Sequence, residues 1–133
     1  MHPKFARADE LSRIAIGAAI EAHRHMGPGL LESIYEKCLI RELELRSVPV
    51  RSQDMVQITY KDITFAEELR FDLLVDGCLL VEVKSVQDLH NIHKAQLLSY
   101  MKLLDVPLGL LINFFEERVT DGVSRMVLRD ANR

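Results

Sequence analysis

The stretch Arg70-Phe71-Asp72-Leu73-Leu74-Val75-Asp76-Gly77-Cys78-Leu79-Leu80-Val81-Glu82-Val83-Lys84 most narrows what this chain can fold into. Two Leu/Val-rich runs flank Asp76-Gly77, a turn dipeptide, so the segment reads as a β-hairpin. Side chains alternate between faces along a strand, and the turn length therefore decides which residues share a face. A two-residue turn pairs Val75 with Cys78 and sends Asp72 and Glu82 to opposite faces. A three-residue loop, Asp76-Gly77-Cys78 with Gly77 in or near the left-handed region, pairs Val75 with Leu79 and sets Asp72 across from Glu82. This second register gathers Phe71, Leu73, Val75, Leu79, Val81 and Val83 on one wholly apolar face. It leaves Arg70, Asp72, Leu74, Leu80, Glu82 and Lys84 on the other, and burial of the apolar face favours it.

Carboxylates set opposite one another repel unless something neutralises them. A bound cation does so, and Lys84, two residues beyond Glu82, assists. Two carboxylates beside one ammonium form a site for a hard divalent cation and a water, which is the equipment for phosphodiester hydrolysis. A Glu-x-Lys alone reads as part of a solvated polar face; the repulsive acidic pair is what that reading leaves without a purpose.

The rest of the chain supplies layers for such a sheet. Helical periodicity runs from about Asp9 to Met26 through Leu11, Ile14, Ala15, Ala18 and Ala22, with Asp9 as N-cap, and stops at Gly27-Pro28-Gly29. A second helix spans about Leu31 to Arg46. Val56 to Tyr60 alternates as a strand, followed by the hairpin of about 67–84. A third helix runs from about Asn91 to Leu104, with Leu97, Met101 and Leu104 on its apolar side. Val106 to Phe114 is an apolar run suited to a buried strand, and Val123 to Leu128 to a last, edge strand. The order helix, helix, three strands, helix, two strands predicts an α/β (α+β) fold: a central mixed β-sheet flanked by helices.

A chain of 133 residues is expected to form one domain over 1–133 and needs no disulfide to fold. The net charge of −3 does not advertise a nucleic-acid binder, yet an acidic metal site lowers the total and a basic rim can be local. Cys38 and Cys78 lack metal-ligand spacing and read as reduced, partly buried thiols. No apolar run reaches the ~20 residues of a membrane span, and a cytoplasmic location is expected.

Gln96 and Tyr100 stand one turn apart on the third helix; such a pair is commonly a surface pair, but it follows the Glu-x-Lys strand closely. Glu32 begins the second helix, where a carboxylate favours the positive end of the helix dipole; its functional reading is a third acid, reaching a metal directly or through a water. Tyr35 packs. His23 and His25 are two apart on a helix and make a poor metal pair, and His90 and His93 lack further ligands nearby, so all four read as partly exposed polar residues. Arg46, Arg51, Lys61 and Arg70 read as scattered solvated charges or as the rim of a groove.

Together these residues resemble the GxxExxY family, a branch of the PD-(D/E)XK nuclease superfamily. Its naming motif is matched by Gly29-Leu30-Leu31-Glu32-Ser33-Ile34-Tyr35, the superfamily core motif by Asp72 with Glu82-Val83-Lys84, and the Gln-x-x-x-Tyr helix motif by Gln96 and Tyr100. Gly109-Leu110-Leu111-Ile112-Asn113-Phe114 is similar to the family's following strand. Phe71 stands where the superfamily motif has Pro, a position at which the superfamily varies widely. The likeness spans about Ala8 to Leu128.

The resemblance implies a restriction-endonuclease-like core and a Mg²⁺- or Mn²⁺-dependent deoxyribonuclease. Asp72, Glu82 and the Val83 carbonyl would then ligate the metal, with Glu32 completing the acidic cluster. Lys84 would position or deprotonate the attacking water, or offset charge on the phosphate, while Gln96 and Tyr100 orient substrate or Lys84. The implied partner is DNA, with RNA as the alternative, in repair, recombination or defence. Specificity would come from a homodimer or a partner protein, since no target-reading element is present. A non-catalytic module that keeps the fold and binds nucleic acid or protein is the competing reading, motivated by the small size and acidic charge.

Overall fold

The computed structural model describes all 133 residues. Helices α1 (Phe5–Met26) and α2 (Glu32–Leu45) precede strands β1 (Val50–Tyr60), β2 (Ile63–Val75) and β3 (Leu79–Lys84). Helix α3 (Asn91–Leu104), strand β4 (Leu108–Asn113), a 3-10 turn (Val119–Gly122) and strand β5 (Val123–Val127) complete the chain. The five strands form one sheet in the order β1-β2-β3-β4-β5. Only β3 and β4 run parallel, joined by the crossover through α3; the other neighbours are antiparallel. This is the mixed sheet with flanking helices that the element order predicts.

The sheet separates two unequal cores. On one face Leu73, Val75, Leu79, Val81, Val83, Leu108, Leu110 and Ile112 pack against α1 and α2. The α1 contribution is largely alanine (Ala8, Ala15, Ala18, Ala19), and short side chains let the helix lie close to its neighbours. On the other face a smaller cluster of Phe71, Leu74, Leu80 and Leu111 meets Leu97 and Met101 of α3. Gly109 of β4 permits that approach: a Cβ there would stand 2.6 Å from the Met101 sulfur.

The hairpin takes the three-residue loop. Val75 pairs with Leu79, Leu74 with Leu80 and Leu73 with Val81; Gly77 has φ 65° and Asp76 φ 49°. One element of the expected pattern is corrected. Phe71 lies in the small core with Leu74 and Leu80, not on the face of Leu73 and Val75. The cause is a bulge in β2: between the pairs Arg51–Leu74 and Gln53–Arg70, β1 has only Ser52 where β2 has Phe71, Asp72 and Leu73. The irregularity reverses the alternation at Asp72.

Three boundaries also differ. Helix α1 starts at Phe5, after Lys4, so Asp9 is not its N-cap; Phe5 and Ala8 already extend the helical stripe. Asp9 instead binds Arg13 (2.8 Å) and Arg125 (2.7 Å), tying α1 to β5, and the Arg125 guanidinium holds the Asp9 carboxyl below its ordinary range. Strands β1 and β2 extend beyond 56–60 and 67–75, and their outer portions form a ribbon that projects from the body with both faces largely in solvent.

The α1–α2 turn is held by Tyr35. Its hydroxyl donates to the Gly27 carbonyl and accepts from the Leu30 N–H (3.0 Å), and its buried ring stacks on Phe114 with centroids 4.4 Å apart. Gly27 and Gly29 supply the positive φ (82° and 80°) that the turn requires. Tyr35→Phe keeps the stack and leaves two backbone groups without their partner. Urea unfolding is expected to show a loss of about 1–2 kcal/mol.

Candidate active site

Four carboxylates and one ammonium meet where β2 and β3 cease to pair. The ladder closes at Leu73–Val81, one residue short of Asp72 and Glu82. Beyond it the Asp72 carboxylate takes the place of a backbone acceptor, and the Val83 N–H donates to Asp72 Oδ2 at 2.7 Å. Asp72 and Glu82 interact, as the three-residue loop predicts, but through this splayed end and not as a paired rung. Glu82 is half-buried on β3, and its carboxyl is pushed up to about 7, first by burial and then by the charge and hydrogen bonding of Asp72; Lys84 opposes the shift.

Helix α2 brings two further acids. Glu32, its first residue, accepts from the Ser85 N–H through Oε2 at 3.4 Å. Glu36, one turn later, interacts with Asp72, and its carboxyl is also pushed up to about 7, by burial first and then by Asp72 and Glu32. Glu36 was absent from the sequence-derived site. Its signal is the i, i+4 spacing from Glu32, which puts both side chains on one helical face; adjacency to Lys37 on an amphipathic helix disguised it as a solvated residue.

The segment after Lys84 is pinned by Asn113, buried at the end of β4. Its side chain donates to the Val86 carbonyl (2.8 Å) and accepts from the Val86 N–H (3.1 Å) and the Phe115 N–H (3.2 Å). The Phe114 N–H bonds the Lys84 carbonyl at 2.8 Å. Val83 sends its side chain into the large core.

The third helix contributes less directly. Gln96 is exposed and bonds neither Lys84 nor any of the acids, and Tyr100 is half-buried against the small core. The structure thus brings Asp72, Glu82, Glu32 and Lys84 together with Glu36, and leaves Gln96 and Tyr100 outside their hydrogen-bonding. His23 departs from its expected exposure: it is buried, with Nε2 2.8 Å from the Glu116 carbonyl. At the start of α3 the His93 ring accepts from the His90 N–H at 3.4 Å. Arg46, Arg51 and Arg70 pair with Glu42, Asp54 and Glu68, and Lys61 lies over the Tyr60 ring. The three arginines are neutralised surface charges, and Lys61 has no acidic partner. Cys38 and Cys78 are free thiols, each half-buried.

These residues fit a hard divalent cation. The donors are all oxygen, negative charge is in excess, and two carboxyls resist ionisation, first through burial and then through the neighbouring acids. Beside them the Ser85 hydroxyl is buried with no partner, as expected of a group that meets a water or ion. No three His, Cys, Asp or Glu side chains converge as a metal's ligands would. An ion here would rest on one or two carboxylates, completed by water and substrate oxygens, the usual state of Mg²⁺.

A family model for the PD-(D/E)XK nuclease superfamily matches residues 9–126. The chain belongs to this superfamily. Its members are usually nucleases and typically use divalent metals. Neither a curated protein nor a solved structure gives a significant match. No helix is long and apolar enough to cross a membrane.

The raised carboxyls have a consequence for stability. Glu36 and Glu82 hold their protons more tightly folded than unfolded, so their contribution is full below about pH 4.5 and is lost as pH rises through about 7. Without divalent metal, Tm should therefore fall more steeply for wild type than for Glu82→Gln between about pH 5 and about pH 8, and Mn²⁺ at about pH 8 should raise the wild-type Tm more. Parallel Tm curves for the two proteins in thermal scans would contradict this electrostatic account.

Proposed function

We propose that this protein is a GxxExxY-type nuclease that hydrolyses phosphodiester bonds in DNA with Mg²⁺ or Mn²⁺, folded as one domain. The observation that carries the reading is the position of Asp72: a bulge and the Val83 N–H hold it beside Glu82, with Lys84 on the same strand. A bound metal would supply Lewis acidity and a water acidified enough to attack phosphorus.

The chain's own groups take the remaining roles. Asp72 and Glu82 hold the metal, aided by the Val83 carbonyl and, through water, by Glu32. Glu36 keeps a proton near neutral pH and donates it within the cluster, limiting repulsion until a cation arrives. Lys84, the ammonium among these acids, orients the attacking water or offsets charge on the phosphate. Gln96, exposed in the second turn of α3, contacts substrate, with Tyr100 setting the helix against the sheet.

Purified protein should nick plasmid DNA with Mg²⁺ or Mn²⁺ and stop on addition of chelator. Asp72→Ala, Glu82→Ala and Lys84→Ala should each lower the rate by about 100-fold or more with an unchanged circular dichroism spectrum. Nicking at the wild-type rate by all three would exclude the assignment. Equal cleavage of a matched RNA would remove the preference for DNA.

A further inference from the structure

The outer edge of the sheet carries a surface that the nuclease reading does not use. From Gln53 to Tyr60 strand β1 pairs with β2 on one side only, and β1 is the terminal strand of the sheet. Edge strands ordinarily block further pairing with Pro, Lys or a bulge. Residues 53–60 contain no Pro, Gly or Lys, a single charge at Asp54, and unbroken pairing with β2. The hairpin closes at Tyr60–Ile63 around Lys61-Asp62. A two-residue turn ends on a hydrogen-bonded pair, so by alternation Gln53, Met55, Gln57 and Thr59 turn their N–H and C=O groups to the free edge.

One face of this ribbon is apolar toward its tip, with Glu67 opposite Val56 and Asp54 nearer the base. Val56, Ile58 and Tyr60 lie beside Phe65 and Ile63, in register. Tyr60, Ile63 and Phe65 are exposed by 61%, 53% and 41%, too large a patch to be scattered surface residues. The charges around it favour one occupant. With a two-fold axis at Gln57, antiparallel β1 strands set Val56 against Ile58 and Asp54 against Tyr60 of the second copy. The Lys61 ammonium, held 5.4 Å from its own Tyr60 ring, then lies next to the other copy's Asp54, which Arg51 of its own chain already meets at 2.9 Å, so the acid stands between two cations. Asp62 comes level with Ser52, next to Arg51. Shifting the axis by one residue toward the base puts Ile58 against Asp54; shifting it toward the tip puts Asp54 against Asp62.

We propose that the β1 edges of two copies of this chain pair antiparallel through residues 53–60, forming a two-fold dimer with a continuous ten-stranded sheet. The two apolar ribbon faces join on one side of that sheet, and each tip lysine meets an acid of the other copy. Such an interface is smaller than the ~1,600 Å² of a standard complex, so association belongs in the micromolar range. This dimer stands whether or not the acidic cluster cuts DNA.

Sedimentation velocity from about 5 to about 500 µM tests it. Wild type should shift from monomer to dimer with concentration. Gln57→Pro removes an outward N–H that β2 does not use, and should weaken dimerisation at least about tenfold while the monomer keeps its circular dichroism spectrum. Asp54→Lys should do the same through repulsion from Lys61, while its lost pair with Arg51 is an exposed one and leaves the monomer's circular dichroism spectrum unchanged; the double variant Asp54→Lys/Lys61→Asp should restore the dimer. A wild type that stays monomeric throughout overturns the proposal. So does a dimer that both single variants leave intact, or an Asp54→Lys loss that the charge swap fails to repair.

Discussion

Crowded negative charge at the open end of β2 and β3 is the constraint on which the rest of the site depends. Four half-buried carboxylates face one ammonium, and two of them relieve the strain only by retaining protons to about pH 7. Folding such a corner without metal is unfavourable, and the neighbouring structure tolerates it by supplying donors. The Val83 N–H serves Asp72, and the Ser85 N–H serves Glu32. The end of the β ladder makes the first available, because a strand still paired at that position would have no N–H to spare. On the proposed reading, a cation would complete what two backbone donors and one lysine cannot.

The unequal cores follow from the same requirement. A deep alanine-lined interface with α1 and α2 carries most of the buried apolar surface. It fixes β3 and β4 firmly enough for the opposite face to be thinly covered. There α3 packs with only Leu97 and Met101 fully buried, over Leu74, Leu80 and Leu111, leaving the acidic corner beside it accessible. A sheet clothed equally on both faces would bury the carboxylates and keep a polymer away.

Much of this was legible in the sequence because burial acts on pattern. The register around Gly77 followed from the demand that Leu73, Val75, Leu79 and Val81 share a face, and the five strands and three helices followed from periodicity. The bulge at Asp72 was not legible: it depends on how β1 meets β2 across Ser52, a contact between strands that no local pattern encodes. Glu36 was hidden because helical spacing says which residues share a face but not whether that face meets solvent or a neighbouring acid. The ribbon escaped notice for a related reason, since alternating strands read alike whether their apolar side is covered or bare.

The spacing from Gly29 to Glu32 to Tyr35 acquires a mechanical meaning from these contacts. Tyr35 does not reach the acids; its hydroxyl closes the glycine turn, and its ring rests on Phe114. Phe114 in turn bonds the Lys84 carbonyl, and its neighbour Asn113 grips Val86. One packed path therefore runs from the strand that carries the lysine, through two aromatic rings, to the turn that starts α2 at Glu32. For the hydrolysis proposed above, a carboxylate delivered by a helix and an ammonium delivered by a strand would need such a brace, because a shift of about 1 Å between them is enough to impair such chemistry. The glycine and the tyrosine of the motif act through the placement of its glutamate.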